Sequence, residues 1–291
     1  MKKKLRFIIN PKSGTGKNKN ISSLVAAAFD ENEWECDIVY TEYQGHVTEL
    51  TKDAVYKNYF AVVVSGGDGT VHEAVKALLF SDTALAIIPA GSGNGFANHF
   101  HIPHDLTKAL KLITENKIIR IDTLSVNDIS CAATTGIGFD AHIAHGFSHL
   151  KTRGFYSYIK LTVKEFFKYS PKNFQLASEE FTFSQNAFLI SIANTSQYGN
   201  NAYIAPHANA QDGKFDVCIL KNVSIFNFPM LAIRLFRKNI FRSSAYLTFQ
   251  TDFLTISVLP AIPFHIDGEP MQPSSNLKIK IVPSSLRLLV P

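Results

Sequence analysis

Cysteine is scarce in this chain, with three in 291 residues, at Cys36, Cys131 and Cys218, and no CxxC pair among them. Far apart and odd in number, they argue against a disulfide framework and point to a reducing compartment, the cytoplasm. Long apolar runs are missing too. Those present, such as 60–64 and 85–89, fall far short of the roughly 20 residues that a membrane-spanning helix needs. The opening Met1-Lys2-Lys3-Lys4-Leu5-Arg6 has the charge of a signal sequence. Phe7-Ile8-Ile9 then breaks at Asn10-Pro11, which leaves no hydrophobic region and no cleavage site. Neither secretion nor a membrane span is expected. Acidic residues are absent from 217–251, where Lys221, Arg234, Arg237, Lys238 and Arg242 account for the net charge of +5. The rest of the chain is balanced, so the excess is one local basic surface and no nucleic-acid partner is expected. Internal repeats and low-complexity linkers are also absent. What is present is 46% apolar and 18% charged residues, enough for a large core and too little charge for disorder.

Residues up to 120 alternate strand and helix patterns, the mark of a parallel α/β sheet. The pattern predicts strands at 5–10, 36–40, 60–65 and 85–89, and helices at 21–29, 47–56 and 71–80, with a short one near Phe96. The run 60–65 is almost purely apolar and β-branched, as a central strand buried on both faces requires. After Arg120 short alternating segments recur at 122–126, 181–183, 187–192, 215–220, 246–249, 254–259, 264–267 and 277–282. Turns of Asn, Gly, Pro and Asp separate them, which predicts an antiparallel sandwich or barrel. Helical inserts are expected near 156–169 and 229–240. No flexible linker marks the boundary near residue 122, so two domains packed across a ligand cleft are expected.

Three glycine-rich loops carry the chemistry. Gly66-Gly67-Asp68-Gly69-Thr70 follows a strand and opens a helix. Its glycines permit a tight turn and close approach of a ligand, and the helix offers free N–H groups to phosphate. A carboxylate there would repel bare phosphate, so Asp68 suits Mg²⁺ or the proton of a hydroxyl. The alternative is a turn with a capping Asp. The second loop, Pro89-Ala90-Gly91-Ser92-Gly93-Asn94-Gly95, leaves the next strand at the same sheet edge, where such folds bind ligands. The third, Asn10-Pro11-Lys12-Ser13-Gly14-Thr15-Gly16-Lys17, is neither a Walker A loop nor a dinucleotide fingerprint, but Lys12 and Lys17 can meet phosphate.

These motifs, in this order, resemble the diacylglycerol kinase catalytic-domain family, which includes sphingosine kinases and bacterial lipid kinases. Further matches are Thr41-Glu42 with Gly45-His46, Glu73, Asp122 after Arg120-Ile121, and the run Thr135-Gly136-Ile137-Gly138-Phe139-Asp140. Asn194, Gly199-Asn200, Pro206, Asp212-Gly213-Lys214-Phe215-Asp216 and Asp267-Gly268-Glu269 complete the set. The resemblance implies a three-layer, NAD-kinase-like α/β nucleotide domain at 1–121, joined by a returning final strand at 283–291. A β-sandwich lipid-substrate domain would occupy 122–282. It also implies ATP and Mg²⁺ as cofactors. Nucleotide contacts would come from Asn10, Pro11, Ser13, Gly14, Lys17, Thr41, Gly66, Gly67, Gly69, Thr70, Glu73, Gly91, Ser92 and Asn94.

In that scheme Asp68 is the metal-linked or hydroxyl-orienting carboxylate, Glu269 the general base and Asp122 a supporting carboxylate. Asp212 would be a ligand of a structural Mg²⁺, although Asp212-Gly213 also reads as a turn. Asp140 would face the lipid head group, or else serve as a strand-end carboxylate. His142, His145 and His149, like His99, His101 and His104, lack a familiar zinc spacing and are expected at the surface or cleft. The basic, apolar segment 225–246 is expected to touch the cytoplasmic face of a membrane. A homodimer, if formed, would pair sandwich edges. The expected reaction is transfer of the ATP γ-phosphate to a hydroxyl of diacylglycerol or a related lipid alcohol. The rivals are a sphingoid-base kinase, an NAD-kinase or phosphofructokinase relative, and a nucleotide-binding membrane-surface protein without catalysis.

Overall fold

A strand that is apolar on both faces must lie between two other strands with helices over it. Such strands set up the first half of the chain. The structure, a computed structural model, describes residues 2–14, 20–148, 155–224 and 226–291. It divides into two compact units, 1–122 with 283–291, and 123–282.

In the first unit strands and helices alternate: β1 (Lys3–Ile9), α1 (Ile21–Ala28), β2 (Trp34–Tyr40), α2 (His46–Tyr56), β3 (Ala61–Gly66), α3 (Asp68–Leu78), β4 (Ala84–Pro89), α4 (Gly95–His99) and α5 (Leu106–Glu115). The strands are parallel, in the order β4-β3-β1-β2. Every residue of β3 and β4 is buried. Arg6 of β1 is buried as well, and it is compensated by Asp37 on β2 at 2.8 Å, by Asp53 on α2 and by the Leu50 carbonyl. A buried cation is tolerated when it is paired and hydrogen-bonded in this way. Helix α5 was not foreseen from the sequence. Asp105 caps it by accepting the Lys108 N–H at 2.9 Å, and Ala109, Leu110, Leu112 and Ile113 face inward.

The second unit is antiparallel. Strand β5 (Ile118–Val126) leads into it, followed by β6 (Ile129–Cys131), β7 (Thr134–Gly138), α6 (Phe139–Ser148), α7 (Phe155–Phe166), β8 (Lys172–Ala177), β9 (Thr182–Ala187), β10 (Leu189–Ala193), β11 (Phe215–Leu220), α8 (Phe228–Phe236), β12 (Tyr246–Thr251), β13 (Phe253–Ile266) and β14 (Glu269–Leu289). The strand order is β12-β11-β10-β7-β13-β14, with the β8-β9 hairpin on β13. Leu124, Phe174, Ile190, Phe215, Leu254 and Leu277 lie in its core.

The fold is therefore the expected one, an α/β unit and a sandwich-like β unit. The end of the chain returns to the first unit, where Leu288 of β14 pairs in parallel with Leu85 of β4. Two differences concern strand length. Segments 254–259 and 264–267 form one strand, β13, whose ladder shifts register between Ser257 and Phe264, across Pro260 and Pro263. Likewise 277–282 and the final strand are one element, β14. Among the described residues no helix is long and apolar enough to cross a membrane.

Candidate functional site

In a parallel sheet every strand delivers its following loop to the same edge. The loops after β1, β3 and β4 therefore converge, and their glycines decide how closely. A Cβ on Gly91 would stand 2.4 Å from the Gly67 Cα, and one on Gly14 would stand 3.1 Å from the Ala90 carbonyl oxygen. The Ala90 and Gly91 N–H groups donate to the Gly66 carbonyl at 2.8 and 3.2 Å. The loops after β3 and β4 thus meet backbone to backbone, a contact that any side chain at Gly91 would break. Asn94, left-handed at the start of α4, shapes the second loop from within. Its Oδ1 accepts the Gly91 N–H at 2.9 Å and its Nδ2 donates to the Gly91 carbonyl at 2.8 Å. Ser92 is exposed.

Helix α3 begins earlier than its apolar period suggests, so Asp68 is its first residue. The Asp68 Oδ1 accepts the Phe96 N–H at 3.2 Å, which ties α3 to the first turn of α4. Thr70 Oγ1 receives Asn10 Nδ2 at 3.4 Å. Asn10 Oδ1 in turn accepts the Lys12 N–H, and the Ser13 hydroxyl donates to the Asn10 carbonyl. Pro11 and Gly14 are exposed in this loop. Lys17, with Thr15 and Gly16, lies outside the described residues, as does His149. Thr41 follows β2, and its N–H donates to the Ile9 carbonyl at 2.9 Å. Glu73 reaches the start of α2, where Oε1 accepts the Gly45 N–H at 3.0 Å. Its Oε2 is buried with no hydrogen-bond partner. Asp122 is buried, and its Oδ1 accepts the Ser284 N–H at 2.7 Å, holding the returning strand.

The second unit gathers a different set. Glu269 is exposed at the start of β14, directly across a two-residue turn from Ile266. That turn, Asp267-Gly268, has positive φ at both residues, 49° and 81°, the conformation that tight hairpins favour. Asp267 does more than turn the chain. Its carboxylate accepts N–H groups from Ala132, Ala133 and Thr134 at 2.8, 2.7 and 3.1 Å. Asp140 is 8% exposed. Its Oδ1 accepts the Ala141 N–H at 2.8 Å, while Tyr198 Oη donates to Oδ2 at 3.2 Å and His265 Nε2 lies 3.4 Å from Oδ2. His265 and Tyr198 escaped the sequence analysis. The available signal was a lone histidine in the apolar run just before Asp267-Gly268-Glu269.

Asp212 is exposed, and it shares the Gln250 amide with Asp216 at 3.4 and 3.5 Å. Burial, with the nearby Asp212 charge adding to it, pushes the Asp216 carboxyl above its ordinary range. The structure thus gives Asp212 one carboxylate neighbour. Among the described residues no group of three or more His, Cys, Asp or Glu side chains is placed to hold a metal ion. His142 sits 3.0 Å from Glu165 on α7 and holds that carboxyl below its usual range.

Two family models match the chain. Residues 4–126 match the diacylglycerol kinase catalytic domain, and residues 133–290 match the YegS C-terminal NAD kinase beta sandwich-like domain. The chain is 26% identical over 296 residues to "Probable lipid kinase YegS-like" of Shewanella frigidimarina, spanning 99% of this chain and 94% of that protein. It is 29% identical over 255 residues to "Probable lipid kinase YegS" of Shigella flexneri, spanning 85% and 84%. The crystal structure of a diacylglycerol kinase from Bacillus anthracis superposes with a TM-score of 0.78 at 20% identity, over 99% of this chain and 97% of that one, a likeness of fold.

Proposed function

The chain belongs to the diacylglycerol kinase catalytic-domain family and carries the second domain of its YegS branch; from that premise we propose that this lipid kinase transfers the γ-phosphate of ATP to a hydroxyl of diacylglycerol or a related lipid alcohol. The observation that carries the nucleotide assignment is the Gly67–Gly91 backbone contact beside the first turn of α3. Phosphates need close backbone approach and N–H groups more than side chains; the glycine loops bring backbone close, and the first turn of α3 presents N–H groups.

Mg²⁺ is also part of the proposal. It takes one or two carboxylates together with phosphate and water oxygens. Asp68, half-buried and pinned through one oxygen to α4, fits as that protein ligand. Bound there, the ion would neutralise charge on the phosphate oxygens. Gly67 and Gly91 let the two loops meet, Asn94 holds its loop in shape, and Thr70 and Asn10 brace the α3 turn. Glu269 takes the acceptor hydroxyl proton on an exposed carboxylate. The Asp140 carboxylate already meets three donors. It therefore has less to offer the ammonium of a sphingoid base, which supports a neutral lipid alcohol.

The lipid is reached at the cytoplasmic membrane face, with α8 as the contact. No α8 residue is buried, Met230 and Ile233 point outward, Phe226 just before the helix is 90% exposed, and Arg237, Lys238 and Arg242 are exposed beside them. The test is phosphate transfer from ATP by the purified chain to mixed micelles of diacylglycerol, monoacylglycerol, sphingosine or ceramide, with Asp68→Ala and Glu269→Ala alongside. Phosphorylated diacylglycerol that vanishes with both variants is the expected result. Product from sphingosine alone, or turnover with NAD instead of lipid, overturns the assignment.

A further inference from the structure

We propose that His265 is a positioning residue, fixing the turn that carries Glu269 against the buried Asp140 carboxylate, so that acceptor site and base share one register. What Glu269 does rests on the kinase assignment above; the tie itself rests on geometry. His265 is 3% exposed, in a strand whose neighbours Phe264 and Ile266 belong to the apolar core. A buried imidazole needs partners for both ring nitrogens. Nδ1 receives the Gly268 N–H at 3.3 Å. An amide N–H can only donate, so Nδ1 is the acceptor and the proton sits on Nε2, which donates to Asp140 Oδ2.

The surroundings are built for this pair. The β13–β7 ladder sets His265 opposite Gly136, and Thr135 Oγ1 donates to the His265 carbonyl at 2.6 Å. A Cβ on Gly136 would fall 2.1 Å from Asp140 Oδ2 and 2.8 Å from His265 Nε2. The absent side chain at 136 is the space in which the two groups meet. The turn is then held at both central residues. The Asp267 carboxylate is bound by three backbone amides, and the Gly268 N–H by the imidazole. Gly268 is exposed, and water would satisfy its N–H as well. Its bond to a core histidine therefore serves the geometry of the turn, whose next residue is Glu269.

The two nitrogens can be removed singly. His265→Asn keeps an acceptor near Nδ1 and loses the reach to Asp140. His265→Gln keeps a donor near Nε2 and loses the acceptor. In ATP-to-diacylglycerol transfer, His265→Gln is expected to lower kcat about tenfold or more with lipid KM within about twofold. His265→Asn is expected to raise lipid KM about fivefold with kcat within about threefold. Hydrogen exchange at the Gly268 amide gives a readout independent of catalysis. It should be protected in the wild-type chain and in His265→Asn, and about tenfold faster or more in His265→Gln. Equal kcat and KM changes in both variants, tracking lost thermal stability, overturn the inference. So does an unprotected Gly268 in the wild type. A wild-type chain that phosphorylates no lipid overturns the kinase assignment and the catalytic part of this inference with it, while Gly268 exchange still decides whether the tie exists.

Discussion

At Gly91 one methyl group separates two loops in backbone contact from two loops forced apart. The contact it would strike is the Gly67 backbone, 2.4 Å away, which cannot turn aside as a side chain does. Gly91→Ala should cost about 1–3 kcal/mol of stability by forcing the loops apart. It should also weaken ATP binding about tenfold or more, since close approach is what the loop supplies. Calorimetric titration with a non-hydrolysable ATP analogue and a thermal melt check both. The glycines and Asp68 were legible in the sequence because each lies within one short motif. His265 was not, because its partner Asp140 lies 125 residues away, and the role of Asp267 left no local mark because the amides it binds come from Ala132, Ala133 and Thr134. His99, expected at the surface or cleft, is half-buried. Burial, with the His101 charge adding to it, lowers its pKa to about 4. A depressed histidine pKa means the fold prefers the neutral ring. Its contribution is complete above the ordinary value near 6.5 and is lost as pH falls from there towards 4. The size is at most about 3 kcal/mol. Chemical denaturation of His99→Gln across that window should show a flatter pH dependence than wild type.

Helix α8 is apolar on both sides, and for that reason its pattern gave its existence but not its orientation. Phe228, Leu231 and Leu235 pack inward, while Met230 and Ile233 stand in solvent at 54% and 47% exposure. Exposed large apolar groups beside exposed cations suit an anionic bilayer surface, where each nearby basic residue adds about 1 kcal/mol. The double variant Met230→Glu with Ile233→Glu should reduce co-sedimentation with phosphatidylglycerol-containing vesicles about tenfold or more and leave the melting temperature unchanged. Retained binding would rule α8 out as the contact. A concentration-dependent dimer lost in the same variant would assign the face to a second copy instead. Strands β13 and β14 show the opposite failure. Pro260, Pro263 and Pro283 read as breaks, since proline cannot donate to a ladder. The register shifts in β13 absorb Pro260 and Pro263, and β14 runs on through Pro283, so single strands were read as pairs.

The first unit is built from two distant stretches of chain, and this sets how it can fold. Its sheet grows outward through β4, and the strand beside β4 is the end of β14, which comes after the whole second unit. Without 283–291, the β4 edge would lose its pairing and the apolar cover of Leu286, Leu288 and Leu289, all fully buried. The Phe80 N–H would lose its acceptor at Ser285, and the buried Asp122 would lose the Ser284 N–H. An uncovered edge, the lost apolar cover and the lost hydrogen bonds together are more than a marginally stable unit can bear. The motifs announced the returning strand only through the family resemblance, because pairing across so many residues leaves no local mark. Two consequences can be measured. Leu288→Ala should cost about 2–5 kcal/mol in chemical denaturation. A fragment of residues 2–122 should show no cooperative melt, whereas the same fragment joined by a short glycine-serine linker to 283–291 should melt cooperatively and bind ATP. A cooperative melt of the bare fragment would make the returning strand an accessory of the sheet, and its Asp122 clasp would then need another explanation than closure of the nucleotide unit.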